Sequence, residues 1–213
     1  MFAVLGVVPT MGREQLSGLN IIGEPLFVHA ARTLVDLPCT RTLLVAEGGR
    51  RATVAAALAN AHLPEVEVVD NSGVEAHARA LDRDAVVVVH DPLCPLTPLA
   101  WVRDLLDRAR EGAVMVAVLP VVDTLKTTRE GIVTGTVDRT GLHVVSSPIV
   151  FPARALVDAI PALGDPAALV HRLRCRHDIE LVAAPGLARR VDDQSGIELL
   201  AAVEASSHAM PQG

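Results

Sequence analysis

Aromatic side chains make up only 2% of this 213-residue chain, and tyrosine is absent. The apolar half is therefore built from Val, Leu and Ala, the palette of central parallel strands and the helices that cover them. Cysteine is scarce as well. Cys39, Cys94 and Cys175 are too few and too scattered for a disulfide framework or a zinc site, which points to a reducing cytoplasm. No apolar run reaches the ~18 residues that span a bilayer, so no membrane partner is expected. The opening MFAVLGVVPTMG has no basic stretch before its apolar residues and no small-residue cleavage site, and reads as a first strand rather than a secretory signal. Nor is positive charge in excess. With 19 Lys+Arg against 25 Asp+Glu the net charge is −6, which argues against a nucleic-acid footprint but leaves room for one small basic pocket for a phosphorylated ligand. The histidines have no metal-ligand spacing, and no G-x-S-x-G supports serine-hydrolase chemistry.

What is present alternates. Apolar runs at residues 2–8, 41–46, 66–69, 85–89, 114–120 and 180–184 read as strands, and helical periods cover 25–34, 50–61, 73–81, 98–111, 152–160, 165–174 and 193–205. Strand and helix taking turns predict one α/β domain over residues 1–213, with a doubly wound, mostly parallel, Rossmann-like sheet. Ligands of such sheets sit outside the carboxyl ends of the strands, which places residues 9–13 and 90–94 on the ligand side. The stretch VVVVHDPLCPLTP (86–98) is the clearest signal. Four consecutive valines suit a strand buried on both faces, and the strand delivers Asp91 just where the chain turns. Asp91 is either a turn-capping residue or a carboxylate fixed at the ligand edge. Residues 121–147 lose the helical period and gain β-branched residues and turn glycines, which predicts a β-arm. Its open edges would be covered by a second copy, so a homodimer through this arm is expected.

Several blocks then carry a resemblance. VVHDPLCPLTP resembles the VHDAARPLTP block of the 2-C-methyl-D-erythritol 4-phosphate cytidylyltransferases. LPVVDTLK, VDRTGL and SSPIVFPARAL resemble that family's PVxDTIK and later RxxLxxxQTPQxF segments, and LNIIGEPLFVHAARTL resembles PLxGxPLLxHALxxL, all in family order. The resemblance implies a nucleotidyltransferase fold, a dimer with exchanged arms, and transfer of CMP from CTP to a sugar-alcohol phosphate with Mg²⁺, in isoprenoid precursor synthesis. It also implies roles. Asp91 matches the metal-holding Asp. Thr124, Lys126 and Arg139 match the arm positions that hold the acceptor phosphate, with Arg139 reaching from the other subunit. Pro9, Thr10 and Gly12 lie in the nucleotide loop, and Ser147 stands in the TPQ block.

The departures concentrate where the triphosphate is handled. The family's PAAGxGxRxG…PK loop is shortened to VVPTMGREQLSGLN, in which Ser17 falls near the Lys and Arg13 stands for the loop Arg. NSGVEAHARAL replaces GGxxRxxSV, and Cys94 replaces the Arg that follows the Asp by three residues. GLARRVDD replaces DxxNxKxT, so Arg190 is the candidate for the Lys, and Asp192 or Asp193 becomes a metal ligand only with a shift of register. Arg13, Asp91, Arg139 and Arg190 are thus the candidate catalytic set. Loss of cations beside a triphosphate lowers transition-state stabilisation. Two expectations follow: a nucleotidyltransferase of weakened activity or changed substrates, or a non-catalytic dimeric binding or regulatory homologue.

Overall fold

The computed structural model describes residues 3–109 and 112–209. The start of the strand expected over 2–8 and the end of the helix expected over 98–111 fall partly outside these residues. In chain order the elements are β1 (Val4–Pro9), α1 (Glu14–Ser17), β2 (Asn20–Ile21), β3 (Glu24–Pro25), α2 (Leu26–Val35), β4 (Arg41–Val45), α3 (Arg50–Asn60), β5 (Val66–Val69), α4 (Asn71–Ala80), β6 (Val86–Val89) and α5 (Leu99–Ala109). They continue with β7 (Val114–Pro120), β8 (Lys126–Arg129), β9 (Ile132–Thr136), β10 (His143–Pro152), α6 (Leu156–Ala159), α7 (Pro166–Leu173), β11 (Ile179–Ala183) and α8 (Gln194–Ala209).

Seven strands form one sheet in the order β11-β7-β10-β6-β1-β4-β5. All neighbours run parallel except β10, which is antiparallel to both β6 and β7. The valine run at β6 shows why this sheet forms. Val86 and Val88 face one core with Val4, Val8 and Leu44, while Val87 and Val89 face the opposite core with Leu5, Val7 and Leu43. Each fully buried Val or Leu contributes about 1.5–3 kcal/mol of hydrophobic stabilisation before entropy is set against it. Gly6 lets α2 close on β1, since a Cβ there would meet Leu34 Cδ1 at 3.1 Å. Helix α4 starts two residues earlier than its periodicity predicts because Asp70 caps it, accepting the Gly73 N–H at 2.9 Å.

The segment expected to be an arm divides in two. Strands β8 and β9 form a separate exposed hairpin. Residues 143–152 instead run as β10 into the middle of the main sheet, so the return limb expected to end at 147 and the helix expected from 152 are corrected there. The helix over 152–160 is replaced by a 3-10 turn at Ala153–Ala155, the short α6, and a second 3-10 turn at Ile160–Ala162. A third, smaller core joins Ile21, Leu26, Leu93, Val191, Ile197 and Leu200, packing α8 and the β2–β3 hairpin over the segment that follows β6. No helix among the described residues is long and apolar enough to cross a membrane.

Candidate active site at the carboxyl edge of the sheet

β1 and β6 are neighbours, while the chain leaves β1 for β4 on the other side. The loops after β1 and β6 therefore flank a switch point of the sheet, where α/β folds form crevices. Asp91 follows His90 just beyond the carboxyl end of β6, and it is held rather than displayed. It is only 4% exposed. Its Oδ1 accepts the Leu93 N–H at 3.0 Å and lies 2.7 Å from Arg13 Nη1, and its Oδ2 accepts from Arg190 Nη1 at 2.7 Å. The Arg13 contact is an ion pair without an aligned N–H, because Nη1 is buried and makes no hydrogen bond. Ser147 Oγ accepts the Asp91 backbone N–H at 2.8 Å and lies 2.6 Å from His90 Nδ1, which ties the turn to β10.

Arg190 arrives from 99 positions away because its segment is pinned. Val191 N–H donates to the Leu93 carbonyl at 2.8 Å, and Ser146 Oγ–H donates to the Ala188 carbonyl at 2.5 Å. Arg190 Nε also pairs with the exposed Asp192 at 3.1 Å. Asp193 accepts the Gly196 N–H at 2.7 Å and caps α8. Of the two acids that a shift of register would bring in, Asp192 is thus paired with Arg190 and Asp193 holds the start of α8.

The loop after β1 is folded on itself. Thr10 is buried, and its N–H and Oγ1–H both donate to the Val45 carbonyl, at 3.0 and 2.8 Å. Gly12, at φ +72°, donates its N–H to Glu14 Oε1 at 2.9 Å, and the Arg13 N–H closes a turn on the Thr10 carbonyl at 3.2 Å. The amides of Thr10, Gly12 and Arg13 are thus all satisfied within the protein. Met11 leans on Gly164, where a Cβ would come within 2.8 Å of the Met11 carbonyl oxygen.

Two spaces adjoin this cluster. One, lined by Pro9, Arg13, Asp91 and Ser147, has a volume of only about 10 Å³ and holds no more than a water. The other is an open groove of about 720 Å³ walled by Gly12, Arg13, His143, Asp165 and Arg190. Asp165 is spent on the Ala167 and Ala168 N–H groups at the start of α7. A further groove of about 440 Å³ lies at the opposite sheet edge, between the end of α2 and α5, remote from these groups.

Pro9, Gly12, Arg13, Asp91, Ser147 and Arg190 lie around these two spaces, while Thr10 is turned away onto the Val45 carbonyl. Thr124, Lys126 and Arg139 do not line the groove of their own chain. Lys126 and Arg139 are exposed on the arm, where Lys126 Nζ donates to Thr136 Oγ1 at 2.6 Å and Arg139 Nη1 to the Val122 carbonyl. Cys94 is buried, and burial together with the Asp91 charge pushes its thiol well above the usual value, so it is an unreactive filler. Glu14, His143 and Asp165 are site residues that sequence reasoning missed. Only Asp165 had a readable signal, an N-capping acid before a helical proline.

A divalent metal does not fit this donor set. Asp91, expected as the metal ligand, has both carboxylate oxygens occupied by guanidiniums. Among the described residues no group of three or more His, Cys, Asp or Glu could hold an ion. Two arginines, Arg13 and Arg190, converge on this one acid.

Known proteins share this architecture. Residues 11–192 match the family profile of 2-C-methyl-D-erythritol 4-phosphate cytidylyltransferase. The enzyme of that name from Saccharopolyspora erythraea is 34% identical, over 80% of this chain and 86% of its own length. The one from Symbiobacterium thermophilum is 31% identical, over 78% and 79%. Among solved structures, a 4-diphosphocytidyl-2C-methyl-D-erythritol synthase superposes with a TM-score of 0.76 at 20% identity, covering 96% of this chain and 100% of that one. The Thermus thermophilus cytidylyltransferase gives 0.68 at 20% identity, covering 93% and 98%.

Proposed function

The chain belongs to the 2-C-methyl-D-erythritol 4-phosphate cytidylyltransferase family, and from that premise we propose that it transfers CMP from CTP to a sugar-alcohol phosphate, at a reduced rate. The observation that carries this is the convergence of Arg13 and Arg190 on Asp91 at the wall of the groove. In the reaction an oxygen of the acceptor phosphate bonds to the α-phosphorus of CTP, the bond from that phosphorus to the bridging oxygen breaks, and pyrophosphate leaves. Charge builds on the α-phosphoryl and pyrophosphate oxygens, so positioning and neutralisation by fixed cations do most of the work. Two guanidiniums on a rigid post are suited to that task. No step is assigned to Mg²⁺ here, because Asp91 is already occupied.

The reduction in rate follows from what surrounds the pair. Ser17, near the family lysine, is buried, and Cys94 stands where an arginine is expected. The loop amides are turned inward. Each missing donor to a developing charge costs on the order of 10²–10³ in rate. The arm supports a second part of the reading. Val122, Ile132 and Val133 are 60–70% exposed on it, and pairing with a second copy would cover them and bring a second set of Thr124, Lys126 and Arg139 to the acceptor phosphate. Three free cysteines suit a reducing cytoplasm.

The test is pyrophosphate release with methylerythritol phosphate and each of the common nucleoside triphosphates in turn. Slow release with CTP, reduced further in a folded Arg190→Ala, supports the reading. Faster release with another triphosphate assigns changed substrates. No release and no thermal shift with any nucleotide assigns a non-catalytic homologue.

A further inference from the structure

The misfit between Asp91 and a metal has a constructive side. A carboxylate with three contacts, two of them from guanidiniums and one from the Leu93 N–H, is a counter-ion with its capacity used. A divalent cation entering there would displace a guanidinium and then sit beside two fixed positive groups. The guanidiniums, in contrast, still have donors to offer. Arg13, whose side chain is 9% exposed, turns its buried Nη1 onto Asp91, and its Nε and Nη2 have no partner among the described residues. Arg190 uses Nε and Nη1, and its Nη2 has no partner among the described residues. Both side chains wall the open groove. The acids near them are accounted for: Asp165 is held by α7 amides, and Asp192, at 79% exposure, is a weak, screened competitor.

We propose that Asp91 is a positioning residue, a shared counter-ion that holds Arg13 and Arg190 side by side as a receptor for a phosphate dianion, and that this receptor binds phosphate without a divalent metal. The inference rests on the reading that the groove takes a phosphorylated substrate. It differs from a metal-ligand role in the sign of two effects. Removing a metal ligand weakens phosphate binding, whereas removing an internal anion releases its cations to the ligand. Chelating metal abolishes binding in the first case and leaves it unchanged in the second.

Isothermal titration of the full chain with inorganic phosphate, in EDTA and in excess MgCl₂, tests this directly. The dissociation constants are expected to agree within about twofold, a difference well under one kcal/mol. Asp91→Asn keeps an acceptor for the Leu93 N–H and loses the charge, and it should bind phosphate roughly tenfold more tightly. Binding that appears only with Mg²⁺, or that Asp91→Asn abolishes in a folded protein, overturns the proposal. Should Asp91→Asn not fold, Arg190→Gln decides: phosphate binding in EDTA weakened about tenfold supports the receptor, and unchanged binding refutes it. Pyrophosphate release measured alongside separates the two readings, because phosphate binding in EDTA without turnover on CTP would remove the cytidylyl-transfer assignment and leave the receptor standing.

Discussion

Lowering the pH from about 7.5 to about 5 should weaken the fold through a single imidazole beneath the site. His90 is completely buried, with Nδ1 2.6 Å from Ser147 Oγ and Nε2 without a hydrogen-bond partner. Burial lowers its pKa from 6.5 to about 4. A folded-state pKa below the unfolded one means that the unfolded chain binds more protons between those values. The stability present above about pH 6.5 is therefore lost as the pH falls towards 4. The full shift corresponds to about 3 kcal/mol, of which about 2 kcal/mol is gone by pH 5. Against a usual total of about 5–15 kcal/mol this is easily measured. Urea unfolding of the wild type and of His90→Gln at both pH values isolates the effect, since glutamine keeps a polar group beside Ser147 but does not titrate. The wild type should lose about 2 kcal/mol more than the variant between the two conditions. Losses equal within about 0.5 kcal/mol would refute the assignment of a buried neutral imidazole.

The nucleotide loop gives a second expectation. Glu14→Ala frees the Gly12 N–H and removes a negative charge, so CTP affinity by calorimetry should rise about three- to tenfold; a fall would contradict the inward-turned loop. Stability should separate buried from exposed pairs. Asp91→Ala leaves the buried Arg13 unpaired and should cost about 3–5 kcal/mol in urea unfolding, whereas Glu67→Ala removes surface contacts with Arg41 and His77 around a carboxylate that is about half exposed and should cost under about 1 kcal/mol. If the arm pairs with a second copy as proposed, the wild type should have a dimer mass by light scattering and Ile132→Asp a monomer mass; a monomeric wild type, or a variant that stays dimeric, would contradict it.

The valine run, the alternation of strand and helix, and the placing of the β1 and β6 loops at the ligand edge were legible because burial on both faces leaves an unmistakable apolar run. β10 was not. Pro148 and Pro152 argue against a central strand, and the reason Pro148 is tolerated lies in the pairing: the register of β10 against β7 shifts between Val145 and Ile149, so Pro148 falls in the irregularity. The α1 turn and the two-residue strands β2 and β3 are too short to carry a period. At the site, Arg13 and Arg190 could be named from the sequence as cations replacing lost ones. That both would close on Asp91 could not, because the contact depends on two long-range bonds, Val191 to Leu93 and Ser146 to Ala188, that no local pattern encodes. Glu14 reads as an ordinary first-turn acid until the loop's path turns the Gly12 amide onto it.

If the guanidiniums gathered at Asp91 neutralise the phosphoryl group in flight, removing one of them must slow the chemistry. The most direct measurement is the rate of pyrophosphate release from CTP and methylerythritol phosphate in the wild type and in Arg190→Ala, with circular dichroism confirming that the variant is folded. A slow wild-type turnover that falls by a further factor of about 10²–10³ in the variant is the expected result. Equal turnover in the two proteins would contradict it.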